Sequence, residues 1–288
     1  HMKVILAGLG NWYSVWNIVK ESASTADQLG FHGLALPDHF VWGAEAASWE
    51  GVVEGFDATL DSWTAIAYLA AMTDKLRLGT LVTPMSLRPP TILAKIVATV
   101  DVISGGRVFL GVGAGWSRRE FEIYGEWAEP RIRVDMTAEA VEVVRRLWTM
   151  ERAEFTGRHY LLRDGVLEHK PIQKPHPPLV FGGENRRMLR LAGKYADICY
   201  IPPWVKMGVE KAREVVDAAA SEAGRLGKIA YAGGRTSPPT PRFEPGVYFR
   251  DLEKAVNAGC SYYVVSFPRS SYVESMRRFA SEVMPSYL

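Results

Sequence analysis

Apolar and polar positions along this chain alternate between two periods. Short apolar runs centred near residues 5, 34, 78, 110, 180, 199, 230 and 264 read as strands. Between them apolar residues recur at the 3.6-residue spacing of amphipathic helices. The segment 76–115 shows the rhythm most clearly. Leu76-Arg77-Leu78-Gly79-Thr80 reads as a strand that breaks at Leu81-Val82-Thr83-Pro84, because Pro84 cannot donate to a sheet ladder. A helix follows from Thr91, with Ile92, Leu93, Ile96, Val97 and Val100 on one face and Gly105-Gly106 as its stop. The next strand, Arg107 to Val112, is apolar nearly throughout, as suits a parallel strand covered on both faces, and it ends in Gly113-Ala114-Gly115.

Elsewhere helices are predicted over 15–29, 62–73, 131–148, 185–193, 206–223, 250–258 and 271–282, with a short one around 120–124. Two stretches read as loops: 41–57, rich in Trp, Gly and Glu without a period, and 233–246, rich in Pro, Gly and Thr. Between 151 and 178 the rhythm lapses. Turn signals at Thr156-Gly157 and Asp164-Gly165, then the proline-rich run 170–178, predict a short hairpin and an extended connector. Eight strand-then-helix units with no linker predict an α/β fold, a (β/α)8 TIM barrel forming one domain over 1–288 with an insertion at 151–178. An open doubly wound sheet is the alternative.

Composition narrows the function classes. With 288 residues, 48% of them hydrophobic, the chain can bury the core of one barrel or of two smaller domains, so length does not choose. A net charge of +2 with no basic block argues against nucleic acid as a partner. No apolar run reaches the roughly 18 residues of a membrane span, and the early KVILAGLG is too short for a signal peptide. A cytoplasmic protein that binds no membrane is therefore expected. Cys199 and Cys260 sit at apolar runs and read as small buried hydrophobes. His1-Met2 reads as an expression remnant, and His1 is left out of the chemistry.

In a barrel, chemistry sits on loops leaving the C-terminal ends of the strands. The loops with unusual composition, 37–57, 81–90, 113–120, 182–185 and 202–204, are all of that kind. Asp38-His39 closes the second strand: histidine passes protons near neutrality, and a neighbouring aspartate binds a hydroxyl or orients the ring. A turn cap by Asp38 and a surface His39 fit the same residues equally well. Gly111, Gly113 and Gly115 follow G-x-G-x-G, not the G-x-G-x-x-G of dinucleotide loops, and read as backbone room beside a ring system. Gly182-Gly183-Glu184-Asn185 opens a helix whose free N–H groups suit an anion, with a plain strand-to-helix turn as the alternative. The following Arg186, Arg187 and Arg190 fit a solvated helix face. Trp12, Trp42, Trp116 and Trp204 lie just beyond strand ends, placed to line a pocket for a flat cofactor and an apolar substrate. His32, His159, His169 and His176 lack metal-ligand spacing, and no nucleophile motif is present, so no metal is expected.

The run LGTLVTP with Arg88-Pro89-Pro90, the run ISGGRVFLGVGAGW, Glu120-Phe121, PDHF at 37–40 and PPLVFGG at 177–183 together resemble the bacterial-luciferase-like oxidoreductases, over nearly the whole chain. Members of that family use FMN or the deazaflavin F420, and the PDHF-type strand end is most similar to the F420 branch. The resemblance implies Asp38 on the cofactor and His39 facing a small-molecule substrate as its proton partner. It also implies a bulge over Thr80, Leu81, Val82 and Thr83 behind the central ring, with a cis peptide between Leu81 and Val82; an ordinary strand end is the alternative. Gly115 would lie beside the ring, and Gly182, Gly183, Glu184 and Asn185 would take the cofactor phosphate. At Trp116 the chain departs from the family's sugar-phosphate dehydrogenases, which have a glutamate acid there. The expectation is an F420-dependent hydride transfer to or from a small organic substrate, by a homo-oligomer, a dimer. An FMN-dependent monooxygenase on the same fold and a noncatalytic flavin-binding barrel are the alternatives.

Overall fold

The computed structural model describes residues 1–11, 14–41 and 60–287. In chain order the elements are β1 (Lys3–Leu6), α1 (Trp16–Leu29), β2 (Gly33–Leu36), α2 (Ser62–Ala71), β3 (Arg77–Thr80), β4 (Thr83–Pro84), α3 (Pro90–Ile103), β5 (Val108–Gly113), α4 (Arg118–Tyr124) and α5 (Pro130–Thr149). Then come β6 (Ala153–Thr156), β7 (Leu161–Gly165), β8 (Leu179–Gly182), α6 (Arg186–Tyr195), β9 (Ile198–Tyr200), α7 (Val209–Glu222), β10 (Ala230–Gly234), α8 (Pro245–Asn257), β11 (Tyr262–Val265) and α9 (Tyr272–Glu282). The strands pair in parallel in the order β3-β2-β1-β11-β10-β9-β8-β5, and β3 pairs with β5 to close the ring. This is the eight-stranded barrel that the alternation predicts, with each strand at its expected place; the open sheet is excluded by the β3–β5 pairing. The two-residue β4 adds to β5 beyond the closure, Thr83 opposite Val112 and Pro84 opposite Gly113.

Closure sorts the strand side chains into two cores. Ile5, Ala35, Phe109, Val180, Tyr200, Ala232 and Val264 fill the barrel interior. Their outward neighbours, such as Leu6, Leu34, Leu78, Leu110, Phe181 and Tyr263, pack under the helices. Both faces of each strand are apolar for this reason, which is why the strands read as continuous apolar runs. Asp27, in α1, accepts the backbone N–H groups of Asp74, Lys75 and Leu76 at 2.9, 2.8 and 2.6 Å and so fixes the entry to β3.

The insertion forms the antiparallel hairpin β6–β7. Its turn lies at 157–160, where the α5 carboxylate Glu139 accepts the N–H groups of Arg158, His159 and Tyr160 at 2.8, 2.8 and 3.0 Å. Asp164-Gly165, a turn signal in the sequence, instead ends β7, with Asp164 at φ 47°. Helix α8 starts at Pro245, inside the predicted loop. Proline loses nothing at the first helical position, since that N–H has no partner in a helix. The predicted loop 41–57 lies, apart from Val41, outside the described residues. Both cysteines are free; Cys199 is buried, which pushes its thiol up to about 12, and Cys260 is half-buried.

Trp148 of α5 is buried and donates its indole N–H to the Ala94 carbonyl of α3 at 3.0 Å, tying two helices over β5. Trp148→Ala is expected to lower unfolding free energy by about 3–5 kcal/mol, the usual cost of emptying a large aromatic site. Urea unfolding checks it, through a lower midpoint at an unchanged slope.

Candidate active site

At the C-terminal end of β2 the chain turns through Pro37-Asp38-His39-Phe40. The Pro37 carbonyl is held by two donors, the Asn11 side-chain amide at 2.7 Å and the Ser62 hydroxyl at 2.6 Å. Asp38 is buried, and its carboxylate is bound from two sides. Arg88 donates Nε to Oδ2 at 3.0 Å and Nη2 to Oδ1 at 2.7 Å, while the Thr83 hydroxyl donates to Oδ2 at 2.8 Å. Arg88 also reaches Oδ1 of Asp61 at 2.6 Å and lies over the Phe40 ring, 4.6 Å from its centroid. Burial works against the Arg88 charge, but Asp38 and then Asp61 outweigh it and hold the guanidinium above its ordinary value. Burial likewise raises Asp61, and the hydrogen bonds from Arg88 and Thr64 win, keeping that carboxyl below the usual carboxylate range. Asp61 is also the N-cap of α2, accepting the Thr64 N–H.

The Thr83 hydroxyl has one proton, given to Asp38, so it accepts from Trp63 Nε1 at 3.1 Å and from the Thr80 hydroxyl at 3.0 Å. Thr80 Oγ1 in turn accepts the Gly111 N–H at 3.2 Å. Thr80 and Thr83, expected against a cofactor, are thus fully buried with their hydroxyls turned into the protein. Leu81 and Val82 between them are half-exposed, and the peptide joining these two is cis, as the resemblance implies. Leu81 packs on the interior core and forms part of the floor of the mouth.

His39 is almost buried. Its Nδ1 lies 3.0 Å from Oε2 of Glu120, and the other oxygen of that carboxylate accepts the Phe40 N–H at 2.5 Å. Glu120 itself has no exposed surface. An ionised carboxylate at Nδ1 selects the tautomer that carries its proton there and leaves Nε2 as the basic nitrogen. The Trp116 ring stands edge-to-face against the imidazole, centroids 5.4 Å apart, and is itself 41% exposed. The histidine comes from the end of β2, and the tryptophan and carboxylate from the loop and helix α4 that follow β5, the two strands lying on either side of β3.

The glycines of β5 make room, but for protein. A Cβ at Gly111 would sit 1.9 Å from the Thr80 carbonyl oxygen, and one at Gly113 would sit 2.3 Å from Val82 Cγ2. At Gly115, where φ is 82°, an added Cβ would sit 2.5 Å from the Phe121 ring. The space read as backbone room beside a ring is therefore filled at these three positions by the β3 end and by Phe121. At the end of β8, a Cβ on Gly182 would come within 3.0 Å of Val82 Cγ1. Asn185 caps α6 by accepting the Met188 N–H at 2.9 Å. Glu184 accepts the Trp204 indole N–H at 2.9 Å, linking the loops after β8 and β9. Arg187 and Arg190 pair with Asp135 and Glu222 on the exposed helix face. Trp12 and Trp42 lie outside the described residues.

Two residues of this site escape a reading by composition. Arg88 looked like a loop residue before two prolines, and Glu120 like one side of a short helix; each acquires its role only when distant strand ends converge. The signal available for both was the family pattern itself, RPP after the strand and EF after GAGW. Among the described residues no three His, Cys, Asp or Glu side chains gather as metal ligands, and no helix is long and apolar enough to cross a membrane.

Known proteins share this architecture. A phthiodiolone/phenolphthiodiolone dimycocerosates ketoreductase from Mycobacterium sp. (strain JLS) is 29% identical over 237 residues, 76% of this chain and 61% of that protein. An FMNH2-dependent dimethylsulfone monooxygenase from Pseudomonas putida is 33% identical over 144 residues, 50% of this chain and 39% of that protein. The chain thus spans about three fifths, or less, of the length of these curated relatives. Among solved structures, an F420-dependent secondary alcohol dehydrogenase in complex with an F420-acetone adduct superposes with a TM-score of 0.69 at 26% identity, covering 98% of this chain and 84% of the other. The F420-dependent tetrahydromethanopterin reductase from Methanopyrus kandleri superposes with a TM-score of 0.79 at 18% identity, covering 99% and 98%, a likeness of fold. Residues 7–237 match the family description luciferase-like monooxygenase, and with the closed barrel and its mouth in view the chain belongs to that family.

Proposed function

We propose that this protein is an F420-dependent oxidoreductase that moves a hydride between the deazaflavin and the alcohol or carbonyl carbon of a small, largely apolar substrate. The observation that carries this reading is the His39–Glu120 pair in the barrel mouth. Interconverting an alcohol and a carbonyl moves a proton at oxygen whenever a hydride moves at carbon. An imidazole whose Nδ1 is held by a buried carboxylate offers Nε2 for that proton. Trp116, against the imidazole edge, gives the substrate an apolar wall and limits water beside the exchanging proton.

The residues present suit a flat cofactor. Leu81 and Val82 offer apolar, half-exposed surface, and the missing Cβ of Gly182 keeps the adjacent strand end low. At the start of α6, Asn185 takes one N–H, and the N–H groups preceding it in that turn suit a phosphate, as Gly182 to Asn185 are read to do. The bound deazaflavin supplies the carbon that accepts or returns the hydride. Asp38 serves from behind, its carboxylate fixing the strand end that presents His39. The F420-dependent alcohol dehydrogenase and the ketoreductase among the similar proteins support the substrate class. An FMN-dependent monooxygenase is the second reading, supported by the dimethylsulfone monooxygenase.

Parallel titrations with F420 and FMN, followed by assays with secondary alcohols and ketones, separate the readings. Tight F420 binding with anaerobic turnover is expected. Oxygen consumption with reduced FMN, and no F420 binding, would replace this reading by the monooxygenase; cofactor binding without turnover of any substrate would leave a noncatalytic barrel. His39→Ala is expected to lower kcat/KM about 10²- to 10⁴-fold while cofactor affinity changes little, since only proton transfer is removed. Steady-state kinetics beside a cofactor titration check both halves. Arg88→Gln leaves the Asp38 carboxylate buried with its cation gone, a change that costs about 3–5 kcal/mol of stability. Denaturant unfolding should show the loss, together with a fall in kcat as the His39 loop loses its anchor.

A further inference from the structure

Outside the mouth, an opening lies over the outer face of β10, where α7 and α8 part. α7 packs against α6, while α8 packs against β10, β11 and α9, which leaves a cleft between them that opens to solvent. Its walls are apolar: Ile201 and Val209 on the α7 side, Ala255 and Ala258 on the α8 side. Its floor is Gly233, where an added Cβ would come within 3.0 Å of Ala255 Cβ, so the floor stays at backbone height.

The charges around this cleft do not balance. Arg213, Arg235 and Lys254 line it against a single acid, Asp251. That acid is already spent. Its Oδ1 pairs with Arg235 Nε at 3.2 Å and its Oδ2 accepts the Tyr263 hydroxyl at 3.0 Å, with the side chain 10% exposed. Arg213 lies over the Tyr231 ring, 4.1 Å from its centroid, and donates to the Ala258 carbonyl at the cleft edge. Its one carboxylate neighbour, Asp217, is at 3.9 Å. Lys254 has no ion pair among the described residues. An apolar trough whose rim carries Arg213, paired with Asp217, and the unpaired ammonium of Lys254 fits a ligand that is apolar along its body and anionic at one end.

We propose that the α7–α8 cleft is a second ligand site, separate from the mouth, that binds a medium-chain organic carboxylate. The chain lies along Ile201, Val209 and Ala255, and the carboxylate meets the Lys254 ammonium with Arg213 beside it. A compact polar anion such as phosphate fits less well, because Arg235 is committed to Asp251 and the walls offer it nothing. The site borrows no residue from the His39 mouth and does not depend on the cofactor assignment.

Calorimetric titration of the whole chain with decanoate tests it. One site per chain is expected, with 1-decanol binding at least about fivefold more weakly, the discrimination of one partly exposed charge pair. Lys254→Glu should weaken decanoate by about tenfold or more. Ala258→Trp, at an exposed position on the rim, should block the trough while circular dichroism and the F420 and FMN titrations match those of the parent chain. No saturable heat, more than one site per chain, equal affinity for decanoate and decanol, or unchanged binding in both variants would overturn the proposal. Failure of the F420 titration alone would bear only on the mouth.

Discussion

The mouth of this barrel is organised by one buried carboxylate. Asp38 has to be paired to be tolerated where it is, since an ionised group with no water needs a counter-charge and filled lone pairs. Arg88 supplies the charge in a two-pronged contact, and Thr83 supplies a third donor. The proton direction is then forced back through the protein. Thr83 gives to Asp38, so it takes from Thr80 and Trp63, and Thr80 takes from the Gly111 amide. One chain of donors therefore joins β2, β3, β4, β5 and α2. Arg88 extends it to Asp61 at the start of α2, and the two prolines after Arg88 start α3. The loop that presents His39 is held at its base by charge and at its carbonyl by Asn11 and Ser62. Precision at the imidazole comes from bonds that never touch a substrate.

The barrel interior sets the depth at which this happens. Phe109 and Tyr200 occupy much of the width of the ring, and Leu81 closes over them. Burial pushes the Tyr200 hydroxyl well above its ordinary value, and its proton goes to the Gly234 carbonyl at 3.2 Å. Side chains above that layer have no room unless strands give way, and the small residues of β5 are where they do. With Gly111 and Gly113 lacking a Cβ, the Thr80 carbonyl and the Val82 side chain lie close against β5. The same closeness puts the Thr80 hydroxyl within reach of the Gly111 amide. Interior packing and the polar chain at the mouth are thus two consequences of one close approach.

The repeat of strands and helices was legible because both faces of every barrel strand are buried, so each strand announces itself as an apolar run whatever its partners. Element ends were less so. Pro245-Gly246 carries the same letters whether it punctuates a loop or opens a helix, and only the docking of α8 on β10 decides. Among site residues, His39 stood out because it follows a strand end. Its carboxylate partner did not, since nothing local relates Glu120 to a residue 81 positions earlier. Thr80 and Thr83 were expected, from the family resemblance, in a bulge behind the cofactor ring. That their hydroxyls turn into the protein follows from the buried Asp38 that claims them, which is visible only in three dimensions.

Trp116 and Glu120 are best understood together. The sugar-phosphate dehydrogenases of the family, from which this chain departs, carry an acid directly after the glycine turn, whereas this chain places an indole there and a carboxylate four residues on. Those four residues matter. They carry the carboxylate past the opening and onto the far nitrogen of His39, where it accepts from Nδ1 and from the Phe40 amide and is sealed from solvent. An acid at 116 would offer a second proton carrier to the substrate. An acid at 120 instead holds the imidazole already present, with the indole against its edge. One imidazole held by a carboxylate and edged by an indole is the arrangement on which the proposed alcohol or carbonyl chemistry relies. The Arg88 guanidinium beside the histidine loop is consumed by Asp38 and Asp61 and so is not offered to a substrate phosphate.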